Sequence, residues 1–227
     1  MELLRVEHVC KTYGKGSASV EALKDVSFSL KRGEFAAVTG ESGSGKSTLL
    51  NCIGGLDTPT SGKIYLGGED IFAMKEEKRT IFRRQNIGFI FQAFHLIREL
   101  DVENNIIFPL LLDHRRADKE QVEELLEVLG LKERRHHLPD QLSGGQQQRV
   151  AIGRALITRP TLILADEPTG NLDSGNSQDV MELLTEASRR YQQTILMITH
   201  NVNLATGTDR VFHVTDGVLK DLGGVRE

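Results

Sequence analysis

Gly40-Glu41-Ser42-Gly43-Ser44-Gly45-Lys46-Ser47 fits the pattern G-x-x-x-x-G-K-[ST], between a short apolar run, Phe35 to Thr39, and a helical pattern from about Lys46. A buried strand, a glycine-rich turn and a helix, in that order, form the setting in which such a loop holds phosphate. Glycines at 40, 43 and 45 let backbone N–H groups approach phosphate oxygens with no Cβ in the way. The helix opening at Lys46 adds its positive end. In such a loop Lys46 reaches the β- and γ-phosphates, and the Ser47 hydroxyl ligates Mg²⁺. Four fixed positions match by chance in about one chain in a hundred of this length, and the flanking strand and helix make an accident rarer still. The loop alone points to a nucleotide. It does not say that the nucleotide is ATP, or what the energy does.

The rest of the composition bounds the class. At 227 residues the chain is long enough to bury a core. A charged fraction of 26% argues against disorder, and a net charge of −4 gives no global reason to bind nucleic acid or an anionic membrane. The basic pairs Arg83-Arg84 and Arg134-Arg135 read as solvated surface, as do the adjacent His136 and His137. Cys10 and Cys52 lack metal-ligand spacing and suit a reduced cytosolic protein, with Cys52 a small packed side chain. Met1 to Lys11 lacks a signal-peptide core. The longest apolar stretch, Ile106 to Leu112, is about a third of a membrane span and contains Pro109. A membrane role must therefore come through a partner.

Patterning places the elements. Leu4, Val6 and His8 alternate with Arg5, Glu7 and Val9 as an early strand; a Gly/Ser-rich turn spans 14–19, and a second strand runs from Val26 to Leu30. Asp118 caps a helix, with Gln121 completing a capping box, and Val122, Leu125, Leu126 and Leu129 share one face before Gly130 ends it. A second helix follows Asp173-Ser174 and aligns Val180, Leu183, Leu184 and Ala187. Leu162 to Ala165 and Thr194 to Thr199 read as buried strands. This alternation predicts a parallel sheet covered by helices. From about Gln92 to Asp140 only helical patterns occur, which reads as a helical subdomain inserted in the sheet.

Two further segments narrow the chemistry. Leu162-Ile163-Leu164-Ala165-Asp166 is an apolar strand ending in a carboxylate, followed by Glu167. Asp166 would sit beside Mg²⁺, and Glu167 is placed to polarise the water that attacks the γ-phosphate. An acidic pair can equally be an ordinary helix start, but that reading weakens beside a phosphate loop. Leu142-Ser143-Gly144-Gly145-Gln146, continuing Gln147-Gln148-Arg149, arises by chance on the order of a few times in ten thousand chains. Ser143 and two glycines ahead of a helix form a second anion-binding helix start. Two such starts far apart in one chain are explained most simply if the second completes a site on another subunit.

Taken together, the chain resembles the ATP-binding-cassette (ABC) ATPases over essentially its whole length. Gly40 to Thr48 is similar to their Walker A loop, Leu162 to Asp166 to Walker B, and Leu142 to Gln146 to the signature. The resemblance implies an α/β P-loop NTPase cassette forming a single domain over 1–227. Its RecA-like mixed sheet core and antiparallel β subdomain would occupy 1–91 and 159–227, with an inserted α-helical subdomain over 92–158. It implies that Tyr13 stacks on adenine, although a tyrosine there is also compatible with an ordinary strand position. Gln92 would contact Mg²⁺ and the attacking water, Asn171-Leu172-Asp173 would meet the opposite subunit, and His200 would lie near the γ-phosphate. On this reading the nucleotide contacts are Tyr13, Gly40, Ser42, Gly43, Ser44, Gly45, Lys46, Ser47 and Thr48. Ser143, Gly144, Gly145, Gln146 and Asp173 are added from across a head-to-tail dimer. The metal ligands are Ser47, Gln92 and Asp166, and the catalytic groups are Glu167, His200 and Gln92.

Gly55 to Gly62, Ile87 to Gln92 and Ala165 to Asp173 together look like the subgroup of lipoprotein-releasing, macrolide-export, haem-efflux and peptide-resistance ATPases. That likeness implies an FtsX/MacB-like permease as partner, a cytoplasmic location on the inner face of the membrane, and use of Mg-ATP for export, extraction or mechanotransmission. A regulatory ATPase of FtsE type, switching a cell-wall or signalling partner without transport, is the alternative. Phe91, Phe94, Leu96 and Ile97 either line a groove for a permease helix or fill the junction between sheet and helical subdomain. Gly153 stands where related signatures often have Ala, at a cost of roughly 1 kcal/mol in helix propensity.

Overall fold

The computed structural model describes residues 2–224; Met1 and residues 225–227 of the expected domain lie outside them. In chain order the strands and helices are β1 Glu2–Tyr13, β2 Val20–Lys31, β3 Phe35–Thr39, α1 Lys46–Ile53, β4 Ser61–Leu66, β5 Glu69–Asp70, α2 Glu76–Asn86, β6 Ile87–Phe91 and α3 Val102–Leu112. They continue as α4 Lys119–Val128, α5 Gly144–Leu156, β7 Leu162–Asp166, α6 Ser174–Tyr191, β8 Thr194–Ile198, α7 Val202–Ala205, β9 Arg210–Thr215 and β10 Val218–Gly224. Two sheets result. One is antiparallel in the order β2-β1-β4-β5. The other is mixed, β10-β9-β3-β8-β7-β6, with every pair parallel except the β9–β10 hairpin.

The central strands are continuous apolar runs because both faces of the mixed sheet are covered. Alternate residues enter opposite cores. Phe35, Ala37, Ile163, Ala165, Ile195 and Met197 pack with residues of α3, α4, α5 and α6. Ala36, Val38, Leu162, Leu164, Leu196 and Ile198 pack with α1 and the antiparallel sheet. Helix α1 is thus fixed between two sheets by Leu49, Leu50, Cys52 and Ile53. Both cysteines are free thiols, and burial pushes the Cys52 thiol up to about 12. No helix among the described residues is long and apolar enough to cross a membrane.

Several local expectations change. Strand β1 does not alternate through His8: that residue has φ 50°, the register with β2 shifts between Val6 and Val9, and Val9 takes the core position. Strand β2 begins at Val20, six residues before the expected start, because it pairs with β1 as far as Tyr13. Its first two residues, Val20 and Glu21, are exposed, so the valine there marks no buried face. Strand β8 ends at Ile198, although the Thr199 N–H still reaches Val38 O at 3.1 Å. Asp118 caps α4 through the Glu120 N–H, but Gln121 donates to Ile157 O at 2.8 Å instead of closing a box.

The basic pairs are clamps as well as surface. Arg84 meets Asp113 at 2.6 Å, Arg83 donates to Gly55 O, and Arg135 bridges Glu103 and Glu123. Gly153 also has a packing reason: a Cβ there would stand 2.6 Å from Leu129 Cδ1 and 3.1 Å from Ile106. The missing methyl lets α5 lie close to α3 and α4.

Candidate nucleotide site

The phosphate loop turns out of β3 and back into α1 with almost no room to spare. A Cβ on Gly40, at φ 145°, would stand 2.2 Å from Val214 O; one on Gly45, at φ 108°, would stand 2.3 Å from Ala22 O. Helix α1 has Gly45 at its N-cap and no side-chain cap, so no side chain caps its first-turn N–H groups. Lys46, itself buried, folds along the loop and donates to Gly40 O at 2.9 Å and Glu41 O at 2.6 Å. Ser44 Oγ is buried in the loop, with no hydrogen-bond partner among the described residues. Ser42 and Gly43 form its exposed crest.

Tyr13 lies at the end of β1 beside this loop. Its hydroxyl donates to Asp57 Oδ2 at 2.6 Å, Thr48 also hydrogen-bonds it, and Lys11 Nζ lies 4.7 Å from its ring centroid. The ring remains 42% exposed, which leaves area for stacking. Burial alone would raise the Asp57 carboxyl, but hydrogen bonds from Lys11 and Tyr13 outweigh it and hold the group below its ordinary range. No sequence pattern pairs Lys11 with Asp57: they are far apart in sequence and meet at the end of β1.

The acidic pair stands at the C-terminal edge of the same sheet, where open α/β sheets place ligands. Ser47 Oγ donates to Asp166 Oδ1 at 3.3 Å. Burial, together with the Glu167 charge, raises the Asp166 carboxyl, and the Ser47 hydrogen bond opposes this. Glu167 has φ 47°, an uncommon conformation for a side chain of that size. Its N–H continues the ladder to Ile198 O at 3.0 Å while its carbonyl accepts from Gly170, turning the chain sharply after β7. The Glu167 carboxylate then lies 3.1 Å from His200 Nδ1. Ser47, Asp166, Glu167 and His200 are therefore brought together from three strand ends.

Ser143, Gly144, Gly145, Gln146 and Asp173 form a separate group. Ser143 Oγ accepts from the Gln146 N–H at 3.3 Å, and Gln146 Oε1 accepts from the Ser143 N–H at 2.9 Å. Gly145 allows Asn176 to approach, since a Cβ would stand 2.4 Å from Asn176 Oδ1. Asp173 caps α6 through the Asn176 N–H, which holds its carboxyl below the ordinary range. Among the described residues these side chains hydrogen-bond within their own group and none reaches the phosphate loop. Gln92 follows β6, whose Phe91 pairs with Asp166, and packs against Gly170 and Asn171 between the two groups.

Beside Gln92 is a cleft of about 630 Å³ lined by Phe94, His95, Leu96, Arg98, Pro139, Asp140 and Gln147. Phe94 and Leu96 line it, and Leu96 also packs against the core on the helical side of the sheet. Phe91 instead stacks on Phe89 at 5.5 Å, and both backbone groups of Ile97 are tied to buried Asn105. Arg154 of α5 donates to the Phe94 and His95 carbonyls, a link that no sequence pattern announced.

A glycine loop that cradles phosphate, a carboxylate pair at the neighbouring strand end and a second glycine-rich helix start define a P-loop NTPase. The ABC transporter family model matches residues 23–170, and the chain belongs to that family. It is 43% identical to the lipoprotein-releasing system ATP-binding protein LolD of Bordetella pertussis, over 96% of this chain and 95% of that one. It is 44% identical to the macrolide export ATP-binding/permease protein MacB of Chlorobaculum tepidum, over 96% of this chain but 34% of that longer protein. Among solved structures it matches a dimeric post-hydrolysis state of the ATP-binding cassette MJ0796 bound to ADP and Pi. The TM-score there is 0.89 and the identity 39%, over 99% of this chain and all of that one. The chain is an ABC ATPase, the ATP-binding subunit of a transporter, of the LolD/MacB-like kind.

Proposed function

We propose that two such cassettes, identical or homologous, face each other head to tail, and that Ser143 to Gln146 of each completes the phosphate site of the other. The observation that carries this is the separation described above. The signature group hydrogen-bonds within itself, yet the Ser143 hydroxyl, having accepted from Gln146, keeps its proton for an outside acceptor. The MJ0796 neighbour is a dimer, which supports the reading.

In this arrangement the loop N–H groups and Lys46 hold the triphosphate, Thr48 closes the loop, and Tyr13 stacks on the adenine. Ser47 and Asp166 offer hard oxygen donors 3.3 Å apart, and with Gln92 they fit Mg²⁺. Mg²⁺, when bound, neutralises charge on the phosphates. Glu167 accepts a proton from water as its oxygen bonds to the γ-phosphorus and the bond to the β,γ-bridging oxygen breaks. His200 holds the Glu167 carboxylate from one side. Ser143 of the partner subunit donates to the γ-phosphate, and the partner's Asp173 lies alongside. We assign 92–158 as the helical subdomain and 1–91 with 159–227 as the core and antiparallel subdomain, because α3, α4 and α5 pack together on one face of the sheet.

Closure of the dimer would drive an FtsX/MacB-like permease seated in the Phe94 cleft, with the cassette in the cytoplasm and reaching the membrane only through that partner. The likeness to LolD and to MacB supports export or extraction of a lipoprotein, drug, haem or peptide. Glu167→Gln tests the chemistry. It should keep ATP binding, lower turnover by about 10²- to 10⁴-fold, and elute as an ATP-dependent dimer on gel filtration. Near-normal hydrolysis would sink the general-base assignment.

A further inference from the structure

We infer that Asn171 is a positioning residue for ATP hydrolysis, holding Gln92 so that its amide oxygen, and not its nitrogen, is presented to the cation and attacking water. The inference rests on the reading of Gln92 given above. An amide side chain has two ends of nearly equal shape and opposite chemistry: its oxygen ligates a cation and its NH₂ repels one. An exposed glutamine on a connecting segment has no intrinsic reason to prefer either.

The hydrogen bonds around Gln92 remove that ambiguity. Asn171 Nδ2 donates to the Gln92 backbone carbonyl at 2.9 Å. A carbonyl only accepts, so this contact fixes which end of the Asn171 amide faces it. Asn171 Oδ1 is therefore the end left for the Gln92 side chain, and Gln92 Nε2 donates to it at 3.2 Å. The NH₂ of Gln92 is engaged by Asn171, while its Oε1 accepts no hydrogen bond among the described residues. Gly170 completes the seat. A Cβ there would lie 2.8 Å from Gln92 Nε2, 3.1 Å from Cδ and 3.2 Å from Cγ. The turn that begins at Glu167 and ends at the Asp173 cap thus also grips Gln92, so one turn holds the base, the amide and the start of α6.

The test uses the full chain and two readouts. In nucleotide-free protein, the Gln92 side-chain amide resonances, assigned by their loss in Gln92→Glu, should shift to solvent-exposed positions in Asn171→Ala. Unchanged resonances overturn the proposal. In steady-state kinetics, Asn171→Ala should lower kcat by about five- to tenfold with KM for ATP within about twofold. In a Gln92→Ala background the same substitution should change kcat by less than about twofold, because its effect travels through Gln92. Full additivity in that cycle means Asn171 acts elsewhere and overturns the positioning role alone. A Gln92→Ala protein with normal kcat overturns the Gln92 reading itself. Should Asn171→Ala fail to fold, Gly170→Ala crowds Gln92 while keeping both hydrogen-bonding partners. It should shift the same resonances, and failure to do so is equally decisive.

Discussion

Two helix starts in this chain use the same residue types and reach opposite ends. Helix α1 opens on Gly45 with no side-chain cap, with the ammonium of Lys46 turned back along the loop. Helix α5 opens on Ser143, whose hydroxyl and N–H are both engaged by Gln146. The first leaves its N–H groups for a ligand, beside the buried Ser44 hydroxyl that has no partner among the described residues. The second is already satisfied and offers one hydroxyl proton and the partial charge of a helix end. An uncapped start with its own cation is suited to hold a polyanion alone; a capped start without one is suited only to add to a site assembled elsewhere. Glycine content does not separate the two. The side-chain hydrogen bonds do.

Substitutions at the two starts should therefore behave differently. Lys46→Ala strikes the holding site and should lower kcat/KM by about 10³-fold, with weakened nucleotide binding even in a monomer. Ser143→Ala should lower kcat by about 10²-fold and leave monomer nucleotide affinity unchanged in a binding titration. Loss of its cap should also cost about 1 kcal/mol in urea unfolding. Equal loss of monomer binding in both variants would erase the distinction.

Smaller effects sharpen it further. Asp166 has a raised carboxyl in the free protein, so its ionised form costs stability once pH rises through that elevated value. Asp166→Asn should accordingly raise Tm at neutral pH in magnesium- and nucleotide-free buffer, while abolishing turnover. Asp57 is the reverse case. Its lowered carboxyl contributes stability that is present above the ordinary carboxylate range and lost as pH falls through the depressed value. A urea titration below about pH 4 should show Asp57→Asn losing less stability on acidification than the parent chain.

The fold was legible where burial was complete and periodic. Phe35 to Thr39 and Leu162 to Asp166 fall in the strands read from their apolar runs, and Asp173 caps the helix assigned to it. Legibility failed where exposure hid the pattern, as at the start of β2, or where a bulge broke it, as at His8. Gln121 was misread because a local cap competes with a distant carbonyl, and only packing decides between them. Within the site, loop, acidic pair and signature carried motifs. Arg154 and the Lys11–Asp57 pairing did not, and the motif containing Asn171 gave no sign of its hold on Gln92, since each acts on a group far away in the chain.

Whether the catalytic site is shared between chains can be read from a mixing experiment with Lys46→Ala and Ser143→Arg proteins. Each alone should be inactive. In a mixed dimer both lesions fall on one site, and the other combines an intact phosphate loop with an intact Ser143 from the facing chain. Mixing equal amounts should restore turnover to about a quarter of the parent value, from random pairing across a two-fold interface. A mixture as inactive as its components would place the signature and the phosphate loop outside a common site.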